Sequence, residues 1–223
     1  MKKMFFVSLA VVFAASCSFV HFDGNKLNAE PADKVYITKT VEVEDFTALQ
    51  IDIPADIKYE TGDPYCHVEG ADNIVNDLIF KKDGNKLRIY SDRKFKNIKK
   101  LDIRLSSSTL ESLIINGAGE FECSKGFETG NFEVQGNGAV DVSIDSLVAD
   151  DVKVRINGAG DVDFEEMFSK SADVQMNGAG DVSLSGNVKD VRVVINGAGE
   201  VDVTDLKYDN ISAQTNGVGR IKK

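Results

Sequence analysis

The 223-residue chain carries 36 Asp and Glu against 26 Lys and Arg, a formal charge of −10 and a pI near 4.8. That balance offers no basic face for sequence-independent nucleic-acid binding. Two histidines, no tryptophan and three cysteines without a C-x-x-C pair argue against histidine-based catalysis, a structural zinc site and a thioredoxin-like redox centre, so no cofactor is expected.

Residues 1–17 read as a processing signal. Lys2 and Lys3 precede an apolar run, Met4 to Ala15, that is too short to span a bilayer and ends in Ala14-Ala15-Ser16-Cys17. Small residues directly before a cysteine resemble the bacterial lipobox, which makes Cys17 the expected lipidation site and the membrane a partner through that anchor. The usual Leu three places before the cysteine is Ala14 here. Residues 18–34 hold Asn, Asp, Gly, Glu and Pro without a period and read as a flexible tether.

Residues 35–223 are expected to form one domain, irregular over 35–109 and regular over 110–223. In the irregular stretch, Val35–Val43, Leu49–Ile53, Ile57–Tyr59, Cys66–Glu69, Leu87–Tyr90 and Leu101–Leu105 are short strand-like runs. Gly62-Asp63-Pro64, Asp83-Gly84-Asn85 and Ser106-Ser107-Ser108 separate them. Leu49 to Tyr59 reads as a degenerate repeat in which Pro54-Ala55 replaces a glycine turn, and Asn73–Phe80 as a helical turn.

Over the regular stretch a single phrase recurs six times, beginning at Asn116, Asn137, Asn157, Asn177, Asn196 and Asn216, at spacings of 21, 20, 20, 19 and 20 residues. Such a period marks a stacked architecture. Around each phrase apolar and polar residues alternate, as in Val152, Val154 and Ile156 against Lys153 and Arg155. Two or three short strands in about 20 residues make one coil of a single-stranded parallel β-helix, a β-solenoid, expected to be right-handed. The N-G-A-G phrase would form the bend at the same place in every coil, and the six asparagines would stack into a hydrogen-bonding column. Asn-Gly between alternating apolar residues is also a hairpin signal, so an antiparallel β-sandwich is the alternative fold.

The repeated I-N-G-A-G-[DE]-V phrase, with the lipoprotein-like start and an F-x-x-L-x-I opening at Phe46, Leu49 and Ile51, resembles the bacterial GIN-domain family over roughly residues 40–221. The Gly136-to-Val140 copy and the last copy, which ends in Arg220, depart from the pattern. The family is described as the head of autotransporter-type adhesins and is abundant in Bacteroides-like bacteria. The resemblance implies a β-solenoid, a cell-envelope location and adhesion to a protein or glycan ligand. The outer membrane is the expected place, with its surface and periplasmic faces both open.

Candidate chemistry concentrates on one column. Glu120, Asp141, Asp161, Asp181 and Glu200 share a position after the phrase and form the candidate binding face, and residues 110–223 hold 20 of the 36 acidic residues but 10 of the 26 basic ones. Stacked carboxylates repel, which a divalent cation or a basic partner would relieve. The calcium β-roll repeat wants Asp two places after its last Gly, where this chain has Val162, Val182 and Val201, so no metal site is assigned. These carboxylates repeat from coil to coil, where a polysaccharide-cleaving set would break the repeat, and the reading is therefore non-enzymatic. A structural or regulatory periplasmic lipoprotein is the competing class. Cys66 and Cys123 read as core residues that could pair in an oxidising envelope, and His67 as a surface residue. Arg93, Lys94, Lys96, Lys99, Lys100 and Arg104 form a basic cluster, and Lys222-Lys223 stand at the last strand edge. The oligomeric state is not readable.

Overall fold

The structure, a computed structural model, describes residues 29–223; Cys17, the signal segment and residues 18–28 of the expected tether lie outside them. The fold is all-β. The strands are β1 (Glu30–Pro31), β2 (Tyr36–Val41), β3 (Ala48–Ile51), β4 (Ala55–Thr61) and β5 (Tyr65–Ala71). One helical turn follows, α1 (Asp72–Val75), then β6 (Ile79–Asp83), β7 (Lys86–Tyr90), β8 (Phe95–Lys96) and β9 (Leu101–Ser107). The repeats contribute β10 (Ser112–Cys123), β11 (Phe127–Glu128), β12 (Asn131–Ala159), β13 (Val162–Asp202), β14 (Leu206–Gly217) and β15 (Arg220–Lys222).

The sheet is mixed and curls into a half-barrel. Pairing between repeats is parallel: Asn116 lies opposite Asn137, Asn157 opposite Asn177 and Asn196 opposite Asn216. The irregular stretch adds antiparallel pairs, β2 with β5, β5 with β9 and β6 with β7. β12 and β13 run for 29 and 41 residues. A straight strand of 41 residues would extend roughly 135 Å, so these strands bend around the core without leaving the ladder.

The alternation fixes what faces inward. Leu113, Val134, Val154, Val174 and Val193 make one buried row; Phe121, Val142, Val162, Val182 and Val201 make another. Each fully buried side chain of this size contributes about 1.5–3 kcal/mol. One apolar cluster runs from Phe46 to Leu206. Leu49–Tyr59 is the degenerate repeat expected, since Leu49 lies opposite Leu113, Ala55 opposite Gly119 and Ile57 opposite Phe121.

Several expectations need correction. Residues 30–32 are not a free tether, because Glu30 N donates to Lys94 O at 2.7 Å and Ala32 N to Lys96 O at 3.1 Å. The helical turn expected over 73–80 runs instead from Asp72 to Val75; Ile79 onward forms a hairpin with β7, closed at Asp83-Gly84-Asn85-Lys86. The N-G-A-G phrase is not a break between strands, since the ladder runs through it. Its bend is made by glycine, with φ of +153° at Gly178, and not by asparagine, because Asn97 is the one non-glycine residue with positive φ among the described residues. Beyond the phrase, the adjacent apolar pairs Leu147-Val148 and Met167-Phe168 are split: Leu147 and Met167 are buried, whereas Val148 and Phe168 are exposed.

Cys66 and Cys123 are free and buried. Cys66 lies opposite Leu105, Leu105 opposite Tyr59, and Cys123 follows Glu122, the partner of Lys58. The two cysteines thus stand three strand spacings apart, about 14 Å, well beyond the reach of a disulfide of about 4.4–6.8 Å between Cα atoms.

Candidate functional site

Four rows of like residues cross the repeats side by side. The first is the asparagine ladder. Asn137 Nδ2 donates to Asn116 Oδ1 at 2.8 Å, Asn157 to Asn137 at 3.0 Å, Asn177 to Asn157 at 2.9 Å, Asn196 to Asn177 at 2.8 Å and Asn216 to Asn196 at 2.8 Å. All six expected asparagines therefore form one chain of amides. It begins on a residue that repeat counting does not find: Asn116 Nδ2 donates to the Asp52 carboxylate at 2.5 Å. Asp52 also accepts from Gln50 at 3.0 Å and from Arg88, whose guanidinium lies 4.4 Å from the Tyr90 ring centroid. Burial alone would raise the Asp52 pKa, but the hydrogen bonds from Asn116, Gln50 and Arg88 outweigh it and hold the carboxyl below its ordinary range. Ile51 pairs with Ile115, which places Asp52 beside Asn116.

Beside the ladder runs a column of glycines whose spacing leaves no room for a side chain. A Cβ on Gly178 would stand 1.9 Å from Gly158 O. Then come the alanines Ala118, Ala139, Ala159 and Ala179, their methyls exposed, with Ala118 opposite Ala139 and Ala159 opposite Ala179.

The fourth row is the predicted carboxylate column. Glu120 lies opposite Asp141. Asp161 N donates to Asp141 Oδ1 at 3.0 Å, Asp181 N to Asp161 Oδ1 at 2.8 Å and Glu200 N to Asp181 Oδ1 at 3.0 Å. The backbone of each repeat thus solvates the carboxylate of the one before, which offsets the repulsion expected from stacked charges. In Asp141, Asp161 and Asp181 one carboxylate oxygen is taken up by this bond, which leaves the other for outside partners. At the far end Glu200 is neutralised by Arg220, with Nε at 2.8 Å, and by Lys222; Lys222 Nζ also lies 3.4 Å from Asp202. Lys222 and Arg220 together hold the Glu200 pKa down.

Between alanines and carboxylates lies an open trough of about 660 Å³, lined by Asp56, Ala118, Gly119, Glu120, Ala139, Asp141, Ala159, Gly160, Asp161, Ala179 and Gly180. It brings together Glu120, Asp141 and Asp161 of the predicted face, adds Asp56, and does not include Asp181 or Glu200. At the Asp56 end it meets a hollow of about 190 Å³ that Pro54, Lys99 and Lys100 help to line. Another groove, of about 450 Å³, passes Glu133, Lys153 and Asp173. Glu111, Glu133, Asp151 and Asp173 stand around Lys153 in its lining, but along one row the charges alternate: Lys153 lies opposite Asp173, which accepts from Arg192 at 2.9 Å, and Glu133 lies 3.6 Å from Arg155. That row neutralises itself, whereas the trough keeps one sign.

Two of the six residues of the basic cluster form ion pairs within the chain. Arg93 pairs with Asp77 at 3.1 Å and Glu30 at 3.3 Å, and Lys100 bonds Glu69 at 2.5 Å and lies 3.3 Å from Asp102. His67 is exposed and shares a hydrogen bond with Thr40 Oγ1 at 2.8 Å. Among the described residues no group of three or more His, Cys, Asp or Glu side chains is arranged to hold a metal ion.

A family model described as "Putative auto-transporter adhesin, head GIN domain" matches residues 45–222. The fold is similar to that of a putative adhesin from Bacteroides fragilis, with a TM-score of 0.68 at 22% identity over 86% of this chain and 98% of that one. A putative adhesin from Parabacteroides merdae gives 0.59 at 15% identity over 86% and 97% of the two chains. A protein from Parabacteroides distasonis described as a putative lipid binding protein gives 0.52 at 20% identity over 88% and 99%. No curated protein matches the chain.

Proposed function

The chain belongs to the family described as putative auto-transporter adhesin, head GIN domain, and from that membership we propose a non-enzymatic binding module of the cell envelope built on a β-solenoid. The adhesin-like family suggests an extracellular or envelope-associated protein. No described helix is long and apolar enough to cross a membrane, and in this reading a lipid on Cys17 supplies the attachment. Recognition falls to the trough, where methyls and free carboxylate oxygens repeat at the strand spacing of about 4.8 Å. An extended protein or glycan ligand meets the same weak contact once per repeat, and the summed contacts give avidity.

The observation that carries this reading is the contrast between the two grooves: the trough row holds uncompensated charge on a rigid ladder, and the Lys153–Asp173 row does not. The test is a glycan and matrix-protein array, run with and without calcium, on the mature protein and two variants. Asp141→Asn with Asp161→Asn keeps an oxygen for the backbone N–H while removing charge. Lys153→Gln with Asp173→Asn does the same on the other row. Binding that survives the second variant and is lost in the first supports the trough; binding indifferent to both places recognition elsewhere. Protease shaving of intact cells separates surface display, in which the protein is lost, from a periplasmic structural role, in which it is protected.

A further inference from the structure

All six ladder asparagines precede a glycine. An Asn-Gly pair is chemically labile because glycine has no Cβ to hinder its own backbone nitrogen from reaching the preceding side-chain carbonyl carbon. That attack needs two freedoms. The glycine N–H must be without a partner, and the asparagine side chain must be able to turn over it.

Inside the stack both freedoms are withheld. Asn137, Asn157, Asn177 and Asn196 each donate through Nδ2 to one neighbour and accept at Oδ1 from the next. The glycine nitrogens are held as well. Val218 N donates to Gly197 O at 3.0 Å, and Gly197 lies opposite Gly217. In a parallel ladder, a residue that accepts from one side of its partner donates to the other, so the Gly197 N–H is engaged by the Asn216 carbonyl.

At Asn216 the protection ends. Its Nδ2 donates to Asn196, but its Oδ1 accepts from Gln214 of its own strand, at 3.2 Å, and from no further ladder amide. β14 is the edge of the sheet among the described residues. Because bonding alternates along a strand, the Gly217 N–H points away from β13 to the side where no described strand lies. Both residues are exposed.

We propose that Asn216-Gly217 is a site of selective intramolecular deamidation and that the ladder protects the other five Asn-Gly pairs. The Gly217 nitrogen yields its proton to hydroxide and bonds to Asn216 Cγ. The Cγ–Nδ2 bond breaks and Nδ2 leaves as ammonia, taking a proton from water. A water molecule then opens the five-membered imide at either carbonyl, leaving aspartate or isoaspartate at 216, with no change of oxidation state. The product carboxylate faces Asn196 Oδ1 where an amide donor stood, so the β14 repeat loosens before any other.

The test ages the folded protein in mildly alkaline buffer and maps its peptides by mass spectrometry, with a urea-unfolded sample in parallel. In the folded protein the mass gain of amide-to-acid conversion at 216 should outrun that at any other ladder position by at least about tenfold. In urea the six should react at comparable rates. An interior asparagine reacting as fast as Asn216 in the folded protein, or Asn216 as slow as the interior ones, overturns the proposal.

Discussion

Val140 occupies the space that Gly136 vacates. In the neighbouring repeat the same two positions are Ile115 and Gly119, opposite Gly136 and Val140 in register. A Cβ built on Gly136 would stand 3.2 Å from Val140 Cβ and 3.1 Å from Ile156 Cδ1, and Val140 is buried. The copy that departs from the repeat therefore keeps the core volume with the large and small residues exchanged.

A double-mutant cycle checks this compensation. Val140→Gly should cost about 2–4 kcal/mol through the cavity and added chain freedom, and Gly136→Ile about 1–3 kcal/mol through overpacking. The double variant should recover at least about 1 kcal/mol of their sum in urea unfolding. Strict additivity would show that the two sites do not share one space.

The glycine columns answer to the close approach of adjacent repeats. Gly178→Ala puts a methyl 1.9 Å from a backbone carbonyl, so the repeats must separate there. A loss of more than about 3 kcal/mol, or failure to fold, is expected. Gly130→Ala, with nothing within 4 Å of the added carbon, should stay within about 1 kcal/mol of the parent. Thermal unfolding of the two variants side by side distinguishes packing from a general intolerance of alanine.

Asp52 anchors the ladder, and its charge ties stability to pH. Its carboxyl is held below the usual carboxylate pKa. Its contribution is therefore complete above the unfolded value of about 4 and is lost as pH falls through the lower folded value. Asp52→Ala should cost about 2–3 kcal/mol at neutral pH, because Arg88 and the Asn116 amide lose their acceptor. Asp52→Asn should be less stable than the parent at neutral pH, with the gap closing in acid. Chemical denaturation across that range checks the sign.

Buried thiols make the core a reporter of unfolding. Burial pushes the Cys66 thiol up to about 12 and raises that of Cys123. Thiol reagents should label both only through opening of the fold, so the rate should follow denaturant-dependent stability, and reductant should leave the melting temperature unchanged. Rapid labelling of native protein would contradict this.

The repeat was legible because stacking asks for the same residue at the same place each time. Asn, Gly and the acidic residue recur for separate reasons: the amide ladder, the carbonyl approach and the backbone N–H of the next repeat. The role of each was less legible. The bend was legible only as a property of the whole N-G-A-G phrase; within it the ladder claims the asparagine side chain and the following glycine takes the positive φ. Asp52 was hidden because its repeat lacks glycine, and only the pairing of Ile51 with Ile115 reveals it. Ile79-Phe80 read as helix because a short apolar run cannot declare its period; its pairing with Tyr90 and Ile89 decides for strand. The separation of Cys66 from Cys123 depends on β9 and β4 lying between their strands, an order that composition does not encode.

Disulfide trapping tests the parallel register of the repeats most directly. Ser143 lies opposite Asp163 on adjacent repeats, whereas a hairpin with the three-residue loop Asn157-Gly158-Ala159 would set Lys153 against Asp163 instead. Under mild oxidation Ser143→Cys with Asp163→Cys should close an intramolecular bridge, seen as a loss of two free thiols by mass spectrometry, and Lys153→Cys with Asp163→Cys should not. Closure of the second pair and not the first would contradict the account.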